Sequence, residues 1–334
     1  MKLVTFDDFL DTYSKISQRG YAFFFSKFTL NKNSRAISAF DKTSQATSNW
    51  WIIPALHKRW NLMISGDENL EYKDYFMQKY FSEKRNLKLL SIGSGGCGHE
   101  IELASFPNFS EVVCLDINQQ NLDSGASMAA EKKLQNMKFL CVDVNKYDLP
   151  DNYYDIVIFN DALHHFENIA SFLKLKIKNC LNQNGHLIIH EFVGAKRMQF
   201  PKKQILAINK SLKLIDKKYR KRYKTNFYKN AYYGPGLLRM IIADPSECVD
   251  SESILPAIHA NFRIVEEKNY GGNILMGSLK EISHHFMELD ERKAAILDSL
   301  FQMEDSYLKE NQSDFVFGIY KKLKIKKYRS FNLI

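Results

Sequence analysis

The residues that could do chemistry gather in a few short segments. The first is Gly93-Ser94-Gly95-Gly96-Cys97-Gly98, in which Gly93, Gly95 and Gly98 satisfy G-x-G-x-x-G. A turn from strand to helix that brings its backbone against a ligand has no room for side chains, so glycine is needed there. The helix beyond it offers unpaired N–H groups. Asp116 stands 23 residues after Gly93 and closes the apolar run EVVCLDI. In a doubly wound sheet that spacing sets the acid against the ribose hydroxyls of a nucleotide, and a carboxylate can accept both protons of a diol. A cap for the following helix is the plainer role for Asp116. Asp143 closes a third run, FLCVD, where a carboxylate can accept from the exocyclic amine of adenine; its plainer role is a turn cap.

Two later segments carry bases. Asn160-Asp161-Ala162-Leu163-His164-His165-Phe166 follows the run YDIVIF, and Glu191 ends HLIIHEF. Histidine titrates near neutral pH, and a carboxylate can also remove a proton from an acceptor. His165, Glu191 and His164 are therefore candidate bases, each with packing or capping as the alternative. Arg197, Tyr232 and Tyr233 follow in a stretch suited to contacting an acceptor. The five cysteines (97, 114, 141, 180 and 248) are odd in number, scattered, and never spaced as CxxC. That argues against a disulfide framework and a cysteine zinc site; no metal is expected, and a reducing cytoplasm is the expected location.

These segments need elements to position them. LKLLSIG (87–93), EVVCLDI (111–117), MKFLCVD (137–143), YDIVIFND (154–161) and HLIIHEF (186–192) read as buried strands. Helical patterns over about 121–135 and 168–181 lie between them. Such βαβα alternation makes a parallel sheet with helices on both faces. Open sheets of this kind bind ligands beyond the carboxyl ends of their strands, so the candidates converge on one cleft. FRIVEEKNY (262–270) and FVFGIYKKL (315–323) supply two further strands around a helical stretch at about 279–310. Residues 1–85 read as a helical and aromatic cap. Phe6, Phe9, Leu10 and Tyr13 share a helix face, Asp67 caps a helix over 67–81, and all three tryptophans fall in SNWWIIPALHKRW.

The segments LLSIGSGGCG, VVCLDI, FLCVDV, YDIVIFNDALHHF and NGHLIIHEF, in this order and spacing, resemble class I S-adenosylmethionine-dependent methyltransferases of the small-molecule type. The resemblance covers about residues 86–195. It implies an α/β, Rossmann-like, doubly wound sheet of seven strands, the runs near 262–270 and 315–323 fitting the family's last two. It places an N-terminal helical extension before residue 86, a methyltransferase domain over 86–334, and a helical lid or acceptor insertion over 194–260, between strands five and six. It implies S-adenosyl-L-methionine as cofactor, held at Gly93, Ser94, Gly95, Asp116, Ile117, Asp143, Val144 and Asn160. A histidine at the position of His165 assists deprotonation in similar enzymes. Two positions depart from the family pattern: Ser91 stands where an acid is usual, and Cys97 where many members carry glycine. A nicotinamide enzyme would need two nucleotide-binding halves, and only one glycine turn is present.

Composition narrows the acceptor. The chain has 334 residues and a net charge of +9. Residues 202–230 hold eleven Lys or Arg against Asp216 alone, and six more positive residues lie between Lys321 and Arg329. Ile205, Ile208, Leu212, Ile215 and Tyr219 recur at helical spacing within the first stretch, which reads as a solvated helix face, an anion-binding face being the alternative. No Pro-Pro-aromatic or Pro-Cys sequence follows the fourth strand, as base-methylating enzymes of this fold would show, and no RNA-binding module is recognisable. A small-molecule or glycan acceptor, O- or N-methylated and suited by charge to be anionic, is the expected partner. An RNA methyltransferase and a catalytically inactive cofactor-binding scaffold are the alternatives. No apolar run reaches the roughly 20 residues of a membrane helix, and Asp7, Asp8 and Asp11 interrupt the amino-terminal segment where a signal peptide would be apolar.

Overall fold

The apolar runs become strands because both sheet faces are covered. The computed structural model describes residues 2–10, 12–13 and 48–323. Its strands are β1 (Leu87–Ile92), β2 (Phe109–Asp116), β3 (Met137–Cys141), β4 (Tyr154–Asn160), β5 (Leu181–Phe192), β6 (Phe262–Gly271) and β7 (Phe315–Lys322). They lie in the order β3-β2-β1-β4-β5-β7-β6. Pairing is parallel from β3 through β5, and β7 runs antiparallel between β5 and β6. Strand alternation divides the core. Leu90 and Ile92 join one buried cluster with Val157 and Phe159, while Leu89 joins the opposite one with Ile156 and Ile158. Each such side chain contributes about 1.5–3 kcal/mol by leaving water.

The helices are α1 (Pro54–Ser65), α2 (Tyr72–Phe76), α3 (Gly98–Ala104), α4 (Gln119–Glu131), α5 (Ile169–Phe172), α6 (Lys202–Leu212), α7 (Leu237–Ala243), α8 (Ile254–Asn261), α9 (Leu275–Leu279) and α10 (Glu291–Leu308). Wider turns at Met77–Phe81 and Leu173–Ile177 continue α2 and α5. Asp67 does not cap a helix. Its Oδ1 accepts from Asn69 N at 2.9 Å in a local turn, and α2 starts only after Glu71. The helical stretch near 279–310 is broken, because Asp290 accepts from Lys293 N and starts α10 afresh.

Between β5 and β6, α6, α7 and α8 form the insertion. Its basic helix is amphipathic, with Ile208 and Leu212 buried and Lys202, Lys203 and Lys210 exposed; the helix ends at Leu212, short of the expected run to Tyr219, and Ile215 is buried while Lys213, Lys217 and Lys218 are exposed in the turns that follow. Leu212 and Ile215 pack with Trp50, Leu56, Leu275 and Leu300 in a third core cluster. The amino-terminal helix, residues 6–10, docks by its acids rather than by its apolar face. Asp7 Oδ2 accepts from Tyr233 N and Gly234 N at 2.7 and 3.0 Å, and Asp8 Oδ1 accepts from Gly236 N at 2.8 Å. Phe6, Phe9 and Tyr13, read as sharing one helix face, are exposed. The basic tail from residue 324 onward lies outside the described residues. Among the described residues no helix is long and apolar enough to cross a membrane.

Candidate functional site

The carboxyl ends of β1, β2, β4 and β5 bring the glycine turn, Asp116, Asn160 and Glu191 to one edge of the sheet. After β1 the chain turns sharply, Gly93 N donating to Leu115 O at 2.8 Å. Gly93 has φ +73°, and a Cβ there would meet Ala162 Cβ at 2.7 Å. The turn is thus closed against the segment that follows β4, and only glycine fits. Gly95 also has positive φ, but a Cβ on it would meet nothing within 4 Å, so its backbone lies open. Cys97 sits at φ +58° before α3. Its side chain packs on Gly125 of α4, where a Cβ would come within 2.8 Å of it.

Asp116 braces this turn from β2. Its Oδ2 accepts from Gly95 N and its Oδ1 from Asn118 N, both at 2.8 Å. Each oxygen keeps a further lone pair for a ligand hydroxyl. Beside it, Ile117 is partly buried. Asp143 follows β3, and its Oδ1 accepts from Asn145 N at 3.0 Å; Val144 is buried and its carbonyl accepts from Lys176 Nζ. Asn160 ends β4, where its Oδ1 accepts from the Tyr72 hydroxyl at 2.9 Å. Tyr72 stacks on His190 at 4.6 Å, and His190 stacks on Tyr270 at 4.8 Å. Burial foremost, then the neighbouring His99 and Lys73, pulls His190 down to about 3, so it is a neutral spacer between two phenols.

Ser91 stands where an acid was expected, and α3 brings an acid to it. Ser91 Oγ donates to Glu100 Oε1 at 2.7 Å, so a carboxylate lies beneath the glycine turn although it comes from another element. Glu100 is 2% exposed, and its Oε2 is buried without a hydrogen-bond partner. An orphaned carboxylate oxygen near an open glycine turn and an aspartate with lone pairs to spare is a donor and acceptor set that fits a ligand carrying both an ammonium group and a diol.

The candidate bases have different placements. Glu191 is fully buried. Its Oε2 accepts from Ala162 N at 2.8 Å and Leu163 N at 2.6 Å, while its Oε1 accepts from Phe192 N at 2.8 Å and pairs with His164 Nδ1. A carboxylate engaged on every side holds the turn after β4 and orients His164. Burial opposes charge on His164, but Glu191 and then Glu247 outweigh it and hold the imidazole up at about 9. His165 is half-buried, with Nδ1 3.2 Å from Ser246 Oγ. Burial first, then the charge at His164, lowers its pKa.

The residues expected to contact an acceptor are engaged within the protein. Arg197 turns its guanidinium onto main-chain carbonyls, Pro245 O at 2.7 Å and Glu247 O at 3.0 Å, and so clamps the 244–248 loop. Tyr232 exchanges hydrogen bonds with Asn209, and Tyr233 packs edge-on against Phe6 at 6.2 Å. That clamped loop carries Asp244, Ser246 and Glu247 to the two histidines. Sequence reading missed Glu247 because it lies far along the chain, in the run IIADPSE, with no periodic link to His164.

A family model described as a methyltransferase domain matches residues 83–263, more than half of the chain. The chain belongs to the class I S-adenosylmethionine-dependent methyltransferases. The β3-to-β6 order agrees with that family, and S-adenosylmethionine is the cofactor the family uses. A Bacillus subtilis protein described as an uncharacterized methyltransferase, YcgJ, is 28% identical over 102 residues, 30% of this chain and 39% of that one. The ubiquinone biosynthesis O-methyltransferase of Rickettsia typhi is 26% identical over 168 residues, 49% of this chain and 63% of that one. The chain thus spans less than two thirds of the length of each of these two curated relatives. Among solved structures, phosphoethanolamine N-methyltransferase 2 of Haemonchus contortus, in complex with S-adenosyl-L-methionine, is 14% identical with a TM-score of 0.48, covering 82% of this chain and 57% of that one.

Proposed function

We propose that this protein transfers a methyl group from S-adenosylmethionine to an oxygen or nitrogen of a small-molecule or glycan-type acceptor. The observation that carries the reading is the joint geometry of the open Gly95 backbone, Asp116 and the orphaned Glu100 oxygen, in a chain of this family. The cofactor, when bound, supplies an electrophilic methyl carbon on a sulfonium sulfur. Asp116 holds the ribose diol, Gly93 to Gly95 leave room for the backbone approach, and Ile117, Asp143 and Val144 flank the adenine. Glu100 takes the ammonium group, with Asn160, fixed by Tyr72, beside it. His164 and His165 handle the proton that leaves the acceptor, and Glu191 acts as a positioning residue that fixes His164 rather than as a base. Residues 1–85 serve as a cap and 194–260 as the acceptor-side insertion, with Arg197 setting its loop. The lysine-rich insertion supports an anionic acceptor over a nucleic acid, whose recognition modules are missing from the sequence. Five cysteines without a disulfide support a reducing, cytoplasmic setting. The test is a mass-spectrometric screen of metabolite extracts with protein and cofactor. A product gaining one methyl group supports the reading. Tight cofactor binding with no methylated product across extracts would make the protein a binding scaffold instead.

A further inference from the structure

His164, His165 and Glu247 converge so that one ligand atom from each lies within 4.8 Å of the others. His164 Nε2 is 3.9 Å from Glu247 Oε1, and the two imidazole centroids are 4.2 Å apart. We propose that these three side chains bind one divalent transition-metal ion at the acceptor end of the site. The inference rests on the methyltransferase reading and specifies it: the histidines act on the acceptor's proton through the ion.

The donor set fits the ion class. Two imidazoles and one carboxylate are the ligands of an open, three-residue zinc site, and imidazole suits zinc, iron, cobalt or nickel rather than magnesium or calcium. Ligands each about 2.0–2.1 Å from zinc stand roughly 3.3 Å apart in a tetrahedron, so the 3.9 Å pair needs only a small side-chain shift.

The groups behind the ligands fit as well. A metal-bound imidazole gives its other N–H to a carboxylate or another acceptor. Glu191 takes that place at His164 Nδ1. Ser246 Oγ donates to Asp244 Oδ1 at 2.6 Å, so its oxygen accepts from His165 Nδ1. The network therefore places the retained ring protons at Nδ1, and metal binding displaces the second proton of His164 from Nε2 to solvent. Arg197 fixes the carbonyls on either side of Ser246, and Val249 N donates to His164 O at 3.2 Å, stitching loop and histidines together. The Glu247 side chain keeps 26% exposure, which leaves the cluster open on one side. A hydroxyl of the acceptor binding there would lose its proton to water more readily beside the ion.

The test uses full-length protein stripped with a chelator, then titrated with Co²⁺, followed by visible absorption, and with Zn²⁺, followed by calorimetry. S-adenosylhomocysteine binding reports folding and the cofactor site separately. We expect one equivalent of metal bound with a micromolar or tighter Kd. Glu247→Gln and His165→Ala should each weaken it at least a hundredfold, and Ser246→Ala about 10–100-fold, with S-adenosylhomocysteine affinity retained in all three. No stoichiometric uptake, or uptake that Glu247→Gln and His165→Ala leave unchanged, overturns the proposal. Failure of the unmodified protein to bind S-adenosylhomocysteine would instead count against the methyltransferase reading.

Discussion

Replacing Glu191 by glutamine keeps the side-chain shape and removes one acceptor oxygen from a fully enclosed position. The carboxylate accepts from Ala162 N and Leu163 N through Oε2, and from Phe192 N and His164 Nδ1 through Oε1. Whichever way the amide turns, two N–H donors face an NH₂ group. A buried donor left unsatisfied costs about 1–3 kcal/mol, so the substitution should cost about 2–6 kcal/mol. With about 2.1 cal/mol/K of unfolding entropy per residue over 334 residues, each kcal/mol lowers Tm by roughly 1.4 °C. The expected drop is therefore roughly 3–8 °C, measured by circular dichroism alongside urea unfolding. A Glu191→Gln protein within about 0.5 kcal/mol of the parent, a typical ceiling for a surface change, would refute the reasoning. The carboxylate would then not be engaged by the backbone, and its candidacy as a base would return.

Three further outcomes follow from the same geometry. Gly93→Ala forces a side chain into left-handed backbone, at roughly 1–2 kcal/mol, and against Ala162, so S-adenosylhomocysteine affinity should fall more than tenfold by calorimetry. Gly98→Ala, where a Cβ meets nothing within 4 Å, is the control and should change it little. Asp314 has its carboxyl pushed up to about 7, by burial first and then by the charge of Glu304, against the hydrogen bond from Gln204. The folded state therefore holds a proton that the unfolded chain releases, and stability should fall as pH rises from about 4 to 7. Asp314→Asn should flatten that slope, removing at most about 4 kcal/mol of pH dependence, read by urea unfolding at pH 5 and pH 8. The exposed lysines of α6 should give RNA binding only in the non-specific range of about 1–100 μM near physiological salt, without sequence preference. Tight, selective binding in a shift assay with transfer RNA would move the acceptor class to RNA.

The sheet was legible because a strand buried on both faces reads as an apolar run, as β1, β2 and β4 do; β3, expected to be buried, is a half-exposed edge strand, and all four begin and end within two residues of those runs. β5 starts five residues early, at Leu181, because Asn182, Gln183 and Asn184 look like a loop, and the pairing there is irregular. Asp116 and the glycine turn were legible for a different reason: both are local to strand ends, where spacing along the chain maps onto spacing in the fold. Glu100, Tyr72 and Glu247 were not, because each reaches the site from an element whose docking is decided by tertiary packing. Arg197 shows the reverse case. Its charge and position suggested an acceptor contact, and only the path of the 244–248 loop reveals the carbonyls it serves.

The central claim is that Asp116 reads the ribose of S-adenosylmethionine. Removing a carboxylate that takes charge-assisted hydrogen bonds costs on the order of 1.5–3 kcal/mol, or roughly ten- to a hundredfold in affinity. Isothermal titration of S-adenosylhomocysteine into the parent and the Asp116→Ala protein, with melting curves to confirm that both are folded, measures this loss. The account predicts binding by the parent, a loss of that size in the variant, and no uptake of NAD by either. Unchanged affinity in Asp116→Ala, or a preference of the parent for NAD, would contradict it.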